Sequence, residues 1–517
     1  MLKFYLIHPN DIVSYVNNAN VTSVALAVIL FLLLRAIIFT SRPPGFPPGP
    51  DGLPVIGCLL DIILSNPFAA FKRYARKYGD VFSIKIGPFY MIICHGIRAN
   101  REILVEKGQD FAGRPDIFIK AFGAGGRGII TRPCDRGLPE QKKFALRCIK
   151  CFGLEGDSME KRVAQEADAL AHNLQREEGK IFSIARYLQC GTCNVICSVA
   201  FSKRYEHSDP IFNHLLDILD EQFGVNPFQF LLQIAQLLPK PVRKRLPWLD
   251  LASPTEKIIH YIESLVAEHR QIYNPGHLND IIDAFFDKQD KYKSGLYTDA
   301  RETYESFTDD QLVYLLLDFF LAGTETTATT LNWAVLYMLR YPDVQKKVQE
   351  ELDQTYGRGS NVVPTLKDKA KLTFTSATLM EIQRIRPVAP LGTPHCAVRN
   401  SKLSGYSIWK GSTVINDLWS VHMDEEFWEQ PDKFDPNRML DANNEVIRPV
   451  SFLPFSIGPR ACLGEQLAKA ELFIFFTTLL HRYEFAVPTG ERPPTDEPHF
   501  GISLTPKPYK VSIKPRY

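Results

Sequence analysis

The chain has 517 residues, 45% of them hydrophobic, and a formal net charge of +2. That is ample apolar sequence for a large core, and the near-neutral balance, with no basic domain or arm, excludes a nucleic-acid binder. Ten cysteines, sparse and irregularly spaced, do not read as a disulfide framework and fit a reducing, cytosol-facing compartment.

Residues 21–34 are nearly unbroken apolar sequence; Arg35 interrupts, and Ala36-Ile-Ile-Phe39 resumes before Ser41-Arg42. Together they make about the 20 residues that cross a hydrocarbon core, with Arg35 able to snorkel at one end. Lys3 stands far from the run and no small-residue cleavage site is well formed, so the pattern predicts a retained anchor over a cleaved signal peptide. Arg35 and Arg42 on its C-terminal side predict that the bulk of the chain faces the cytosol. The stretch from Arg42 to Gly57 carries too many prolines for helix or central strand and predicts a stiff, extended connector. The expected organisation is an anchor over 1–40, a proline-rich segment over 41–57 and one domain over 58–517.

Residues 81–86 and 89–93 read as two short strands about Gly87-Pro88, a hairpin. After Phe111-Ala-Gly-Arg-Pro115 comes a glycine-rich loop, 123–128, and then a basic helical stretch over 140–147. Two pairs, Cys148 with Cys151 and Cys190 with Cys193, have zinc-site spacing. Both lie in helical pattern, however, and Cys190, Cys193 and Cys197 share one face, as buried core cysteines do. Residues 228–248 set an apolar run beside a basic segment ending in Trp248, which suits either a membrane interface or a solvated turn.

Thr308-Asp-Asp-Gln311 is a capping-box pattern that opens a very long apolar helix reaching about Arg340. A polar island, Ala322-Gly-Thr-Glu-Thr-Thr327, interrupts it. Threonine and glycine are poor helix formers, and a buried glutamate costs several kcal/mol unless paired, roughly. Such broken rules point to a functional site, unless the threonine hydroxyls simply bond back to carbonyls a turn earlier. Further on, Glu381 and Arg384 fall on one helix face and can pair. The segment 386–395, ending in His395, is too rich in proline to be helical.

The most informative stretch is Phe455-Ser-Ile-Gly-Pro-Arg-Ala-Cys-Leu-Gly464, followed directly by a helical pattern. A cysteine at a helix N-terminus is favoured as thiolate, the form that binds a metal and one of the few axial ligands haem iron accepts. Gly458 and Gly464 allow tight turns close to a flat macrocycle, and Arg460 is placed to neutralise a carboxylate.

The full spacing resembles the haem-binding loop of the cytochromes P-450, and the resemblance runs collinearly over residues 43–517, nearest to the microsomal family-2 type. It implies a mainly α fold with a small β-rich region, preceded by one transmembrane helix. It implies haem b held by Cys462 as iron ligand, with Phe455, Gly458, Arg460 and Gly464 forming the loop. Ala322 and Gly323 would let the haem approach the long helix, Thr326 would hold a water or reduced dioxygen, and Glu325 would help deliver protons. His395 would donate to a propionate. Where the family carries a tryptophan and an arginine for the propionates, this chain has Leu138 and Lys142; Lys142 keeps the charge without the bidentate fork. Glu381, Arg384 and Arg438 would form a buried structural triad, with Met439 where phenylalanine is usual.

The implied reaction is NADPH-dependent monooxygenation of a lipophilic small molecule (fatty acid, steroid or foreign compound, with a lean to fatty acids). No Gly-x-Gly-x-x-Gly fingerprint stands in strand–helix context, so electrons are expected from a separate NADPH-cytochrome P-450 reductase, with cytochrome b5 as a candidate second donor. The implied location is the endoplasmic reticulum membrane, single-pass. Three readings compete: a haem-thiolate isomerase or dehydratase, with no need of Thr326; a non-catalytic haem sensor or carrier; and a zinc-stabilised membrane scaffold.

Overall fold

A computed structural model describes residues 42–517, except 54, 55, 88, 153–157, 224–253 and 296–303, and a few positions between 23 and 31. The expected anchor and the 228–248 stretch lie essentially outside the described residues; among those described, no helix is long and apolar enough to cross a membrane. Helices of twelve or more residues are numbered α1 (Pro67–Tyr78), α2 (Gly137–Cys151), α3 (Ser158–Gln175), α4 (Ala185–Phe201), α5 (Pro210–Phe223), α6 (Pro254–Ile272), α7 (Ile281–Lys293), α8 (Asp309–Arg340), α9 (Pro342–Tyr356), α10 (Thr373–Ile385) and α11 (Glu465–Arg482).

The 32 residues of α8 span ~48 Å and form the axis of the molecule. The helix starts where the sequence predicts: the Thr308 hydroxyl accepts from Gln311 N at 3.2 Å, and Asp309 and Asp310 meet the positive end of the dipole. It stops at Tyr341 because Pro342 opens α9. Two large cores meet α8 at opposite ends. Residues 312–321 pack among α4, α5, α6 and α7, while residues 331–339 pack with α3, α10 and α11. The polar island falls between the two cores.

β1 (Val81–Ile86) and β2 (Phe89–Cys94) form the expected hairpin, Ile86 opposite Phe89, with Gly87 at φ +57° in the turn. β2 continues into a mixed sheet through β4 (Thr413–Asn416), which pairs with it in parallel, and β3 (His395–Cys396) closes the edge with His395 opposite Val414. The remaining strands pair as small two-stranded ribbons.

Glu381 and Arg384 on α10 are both fully buried, bonded twice at 2.7 and 2.8 Å. Arg438 joins them, its Nε 3.0 Å from Glu381 Oε1, while Arg384 also donates to the carbonyls of His422 and Pro431. Every charge in this knot is met, which ties α10 to the irregular segment before the cysteine loop. Met439 packs beside Ala377, Trp428 and Phe452, filling the place where an aromatic ring was expected. Cys148, Cys190, Cys193 and Cys197 are buried in the core that α4, α5, α6 and α7 form with residues 312–321, the side chain of Cys151 lies outside the described residues, and among the described residues no group of three potential ligands could hold a metal ion.

Candidate active site

A cavity of about 300 Å³ opens between the polar island of α8 and the cysteine loop. On α8 it is lined by Leu315, Asp318, Phe319, Ala322, Gly323, Thr326, Thr327 and Thr330, which recur at helical spacing along one face. The Thr326 hydroxyl donates to Ala322 O at 2.7 Å and Thr330 to Thr326 O at 2.8 Å. Back-bonding to carbonyls a turn earlier satisfies each donor, while both threonines line the cavity. Gly323 also serves the helix packing: a Cβ there would lie 2.4 Å from Ile196 of α4.

Glu325 does not line the cavity. Helical phase turns it to the other side of α8, where its carboxyl accepts from Thr329 at 2.9 Å and faces Gln189 and Asp220. Burial raises it to about 7. The proton-delivery role read from the sequence therefore finds Glu325 pointing away, for the simple reason that adjacent helical residues are ~100° apart.

The cysteine loop is a tight structure with no room for side chains at one point. Gly458 stands at φ +85°, and a Cβ on it would fall 1.7 Å from Leu104 O. Cys462 N donates to Phe455 O at 3.0 Å, closing the loop so that the sulfur and the Phe455 ring both face the cavity. Gly464 caps α11 at an ordinary φ of −86°, so the backbone does not require glycine there. A Cβ on it would meet nothing within 4 Å, and Gly464 lines the cavity; its absent side chain leaves space for the cavity's contents.

Cys462 corrects the electrostatic expectation. Its sulfur is open to the cavity yet enclosed by protein, and that burial raises the thiol above its usual range, with the Gly464 N–H pulling the other way and the Glu465 carboxylate adding to the rise. The helix end alone does not make the thiolate; a coordinated metal cation would.

Cations gather at one end of the cavity. Arg460 donates to the carbonyls of Ala112 (2.7 Å), Ile129 (3.0 Å) and Arg132, and Lys142 Nζ donates to Pro459 O. Arg114, which the sequence reading passed over inside a loop motif, joins them, donating to Ile130 O and Pro394 O, both at 2.8 Å. Burial lowers all three; Arg114 falls to about 9 and Arg460 to about 10, and like charge depresses Arg114 and Lys142 further. None has a salt-bridge partner among the described residues. One buried and two half-buried cations, hydrogen-bonded to carbonyls and with the Asp318 carboxyl acting on the two arginines, fit a ligand that brings its own carboxylates. With a cysteine sulfur, an open glycine and a small-residue helix face opposite, this donor set fits iron protoporphyrin IX. Leu138 stands on the outer side, lining a second, basic concavity of about 750 Å³ with Lys142, Lys143, Arg147, Lys150 and Arg460.

His395 sits behind this cluster. Its Nδ1 is 2.8 Å from Phe111 O and therefore carries the proton, while burial and the charge of Arg114 hold the ring neutral, down to about 3. As it stands Nε2 is an acceptor, so donation to a propionate requires uptake of a proton.

Two more buried acids line the cavity, both unread in the sequence. Asp318, one turn before Ala322, was visible as a lone charge in an apolar run; Glu471 on α11 stood close behind Glu465 and Lys469 in the first turns of the helix and carried no signal of its own.

Fold and site together define a haem-thiolate oxidoreductase of helical architecture. A family model described as Cytochrome P450 matches residues 47–513, and the chain belongs to that family. It is 36% identical over 511 residues to cytochrome P450 2D4 of Rattus norvegicus, covering 95% of this chain and 98% of that one. Cytochrome P450 2D28 of Mesocricetus auratus matches at 36% over 500 residues (96% and 97%), and cytochrome P450 2D14 of Bos taurus at 36% over 500 residues (95% and 98%). The chain is thus a haem b monooxygenase of the microsomal family-2 type, an oxidoreductase of class EC 1.14.

Proposed function

We propose that the protein inserts one oxygen atom from O2 into a lipophilic small molecule, using electrons passed from NADPH by a separate reductase. The observation that carries this reading is that the Cys462 sulfur and the Thr326 hydroxyl line one cavity. When bound, the haem supplies reductive activation of O2. Cys462 holds the iron, and Arg460, Lys142 and Arg114 bind the propionates, with His395 joining once protonated. Ala322 and Gly323 would keep the helix face low enough for the haem to approach, and Thr326 would hold a water by hydrogen bond. Leu315, Phe319, Ile129, Val388 and Ala389 supply apolar walls that favour a lipophilic substrate and exclude bulk water. Fatty acids head the substrates to be screened, followed by steroids and foreign compounds.

Residues 1–40 anchor the protein once across the endoplasmic reticulum membrane, 41–57 form the hinge and 58–517 the catalytic domain on the cytosolic side. The basic concavity beside Pro459 suits an acidic electron donor such as the reductase, with cytochrome b5 as a second candidate. The test is the carbon monoxide difference spectrum of the reduced protein in membranes, beside Cys462→Ser. A strongly red-shifted Soret band lost in the variant supports thiolate ligation, and turnover only with added reductase supports the electron route. No band in haem-supplied, folded protein would sink the proposal.

A further inference from the structure

His269 in the last turn of α6 and Asp280, the residue that caps α7, are both buried and meet through Nε2 and Oδ2 at 2.9 Å. The other ring nitrogen, Nδ1, lies 3.2 Å from Leu265 O, one turn back on its own helix. A carbonyl and a carboxylate only accept, so both ring nitrogens act as donors and the ring is held as an imidazolium. The same carboxylate caps α7, its Oδ1 accepting Asp283 N at 3.0 Å, so one side chain joins the start of one helix to the end of the other. The next residue extends the tie. Arg270 donates to Asp309 at 2.6 Å and to Gln289 of α7 at 3.1 Å, and Gln289 donates to Asp309 at 2.8 Å and to Phe307 O at 2.9 Å. Asp309 is the first residue of α8, whose cavity-lining Leu315 packs in the same core as α6 and α7.

We propose that the His269–Asp280 pair is a pH-sensitive latch: protonated, it pins α6 to α7 and steadies the start of α8, and loss of its proton on the alkaline side loosens that corner. A neutral ring can donate from one nitrogen only, so one of the two buried bonds is lost with the proton. The bond to Asp280 raises the imidazole above its ordinary 6.5, with burial opposing and the charges of Asp280 and Asp283 adding to the rise. A base raised on folding contributes stability that is complete below the ordinary value and lost as pH climbs through the raised one, so the latch opens with alkali. The surrounding charges are accounted for element by element. Asp280 and Asp283 act on the ring from α7, and Glu268 stands beside it on α6, itself paired with Lys203 at 2.7 Å. Asp309 of α8 is held by Arg270, and Glu221 of α5 meets Lys257 about three turns away along α6.

The test is amide hydrogen exchange of the full haem-bound protein between about pH 6 and 9, expressed as protection so that the intrinsic effect of pH on exchange cancels. Protection over residues 266–284 and 309–316 should fall by about tenfold across this range, measured against α9, which packs in the other core. His269→Gln keeps a donor for Asp280 but has no proton to lose in this range, and its protection should stay level. Asp280→Asn still caps α7 and removes the charge that faces the ring, so the fall should move about one pH unit lower. Wild-type protection that stays level relative to α9 overturns the proposal, as does a fall of equal size in His269→Gln. Should His269→Gln not fold, Asp280→Asn decides, because a fall left at the wild-type pH overturns the proposal as well.

Discussion

The carboxylate of Asp318 accepts the backbone N–H of Ile130 at 3.0 Å and, more closely, that of Ile129. One acid on α8 thereby pins the loop that carries two of the cavity's apolar walls, and that loop's carbonyls in turn hold Arg114 and Arg460. Burial raises Asp318 to about 7, opposed by these two N–H groups and by both arginines.

Asp318→Ala should free the strap without unfolding the domain. Two amides lose their acceptor, while relief of a buried acid offsets part of the cost. Hydrogen exchange at Ile129 and Ile130 should speed by about tenfold or more, equivalent to roughly 1.4 kcal/mol of local opening. Unchanged protection would show the loop to be held by packing alone.

Thr326→Ala should retain haem and waste reducing equivalents. The hydroxyl donates within its own helix, so its loss costs little stability, about 1 kcal/mol or less. Product formed per NADPH should drop by about tenfold, with peroxide rising in step. Coupling equal to the wild type, measured with an identified substrate, removes Thr326 from the mechanism.

At Gly458 the backbone leaves no latitude. Gly458→Ala combines a left-handed φ with an unavoidable clash against Leu104 O, and should destabilise by about 3 kcal/mol while displacing Cys462. Purified variant protein should show little Soret absorbance per mole of chain. Gly464→Ala, with an ordinary φ, should fold normally as apoprotein yet bind haem more weakly.

The buried knot gives a purely structural prediction. Arg384→Ala leaves the Glu381 carboxylate buried with one cation where it had two, and should cost about 3–5 kcal/mol in urea unfolding. Arg384→Lys should lose much of the same amount, because an ammonium cannot meet Glu381 in bidentate fashion.

Stability should fall as pH rises through the neutral range. The Glu325 carboxyl moves from its usual 4.5 to about 7 on folding, so between these values the folded chain binds more proton than the unfolded one. A raised acid contributes stability below the window that is lost above it, here up to about 3 kcal/mol by pH 8. Asp318 and Glu471 act in the same direction. Glu325→Gln should therefore flatten part of the fall in urea midpoint between pH 5 and 8, and an identical slope would contradict the assignment.

Much of this protein was legible in one dimension because its signals are local. The α8 cap needs only Thr308 and Gln311, the hairpin only its alternation about Gly87, and the cysteine loop only the spacing from Phe455 to Gly464. The Glu381–Arg384 pair follows from helical spacing, and even the reach to Arg438 came with the family pattern. Tertiary structure decided what depends on direction and enclosure. Helical phase sent Glu325 away from the cavity and Thr326 into it, burial turned the Cys462 thiol against ionisation, and burial with the charge of Arg114 left His395 neutral. Arg114, Asp318 and Glu471 come from elements far apart in the chain and acquire meaning only when packing brings their charges to one water-poor space. Sequence names the ionisable groups; the dielectric around each, set by the whole fold, determines which of them carry charge or protons.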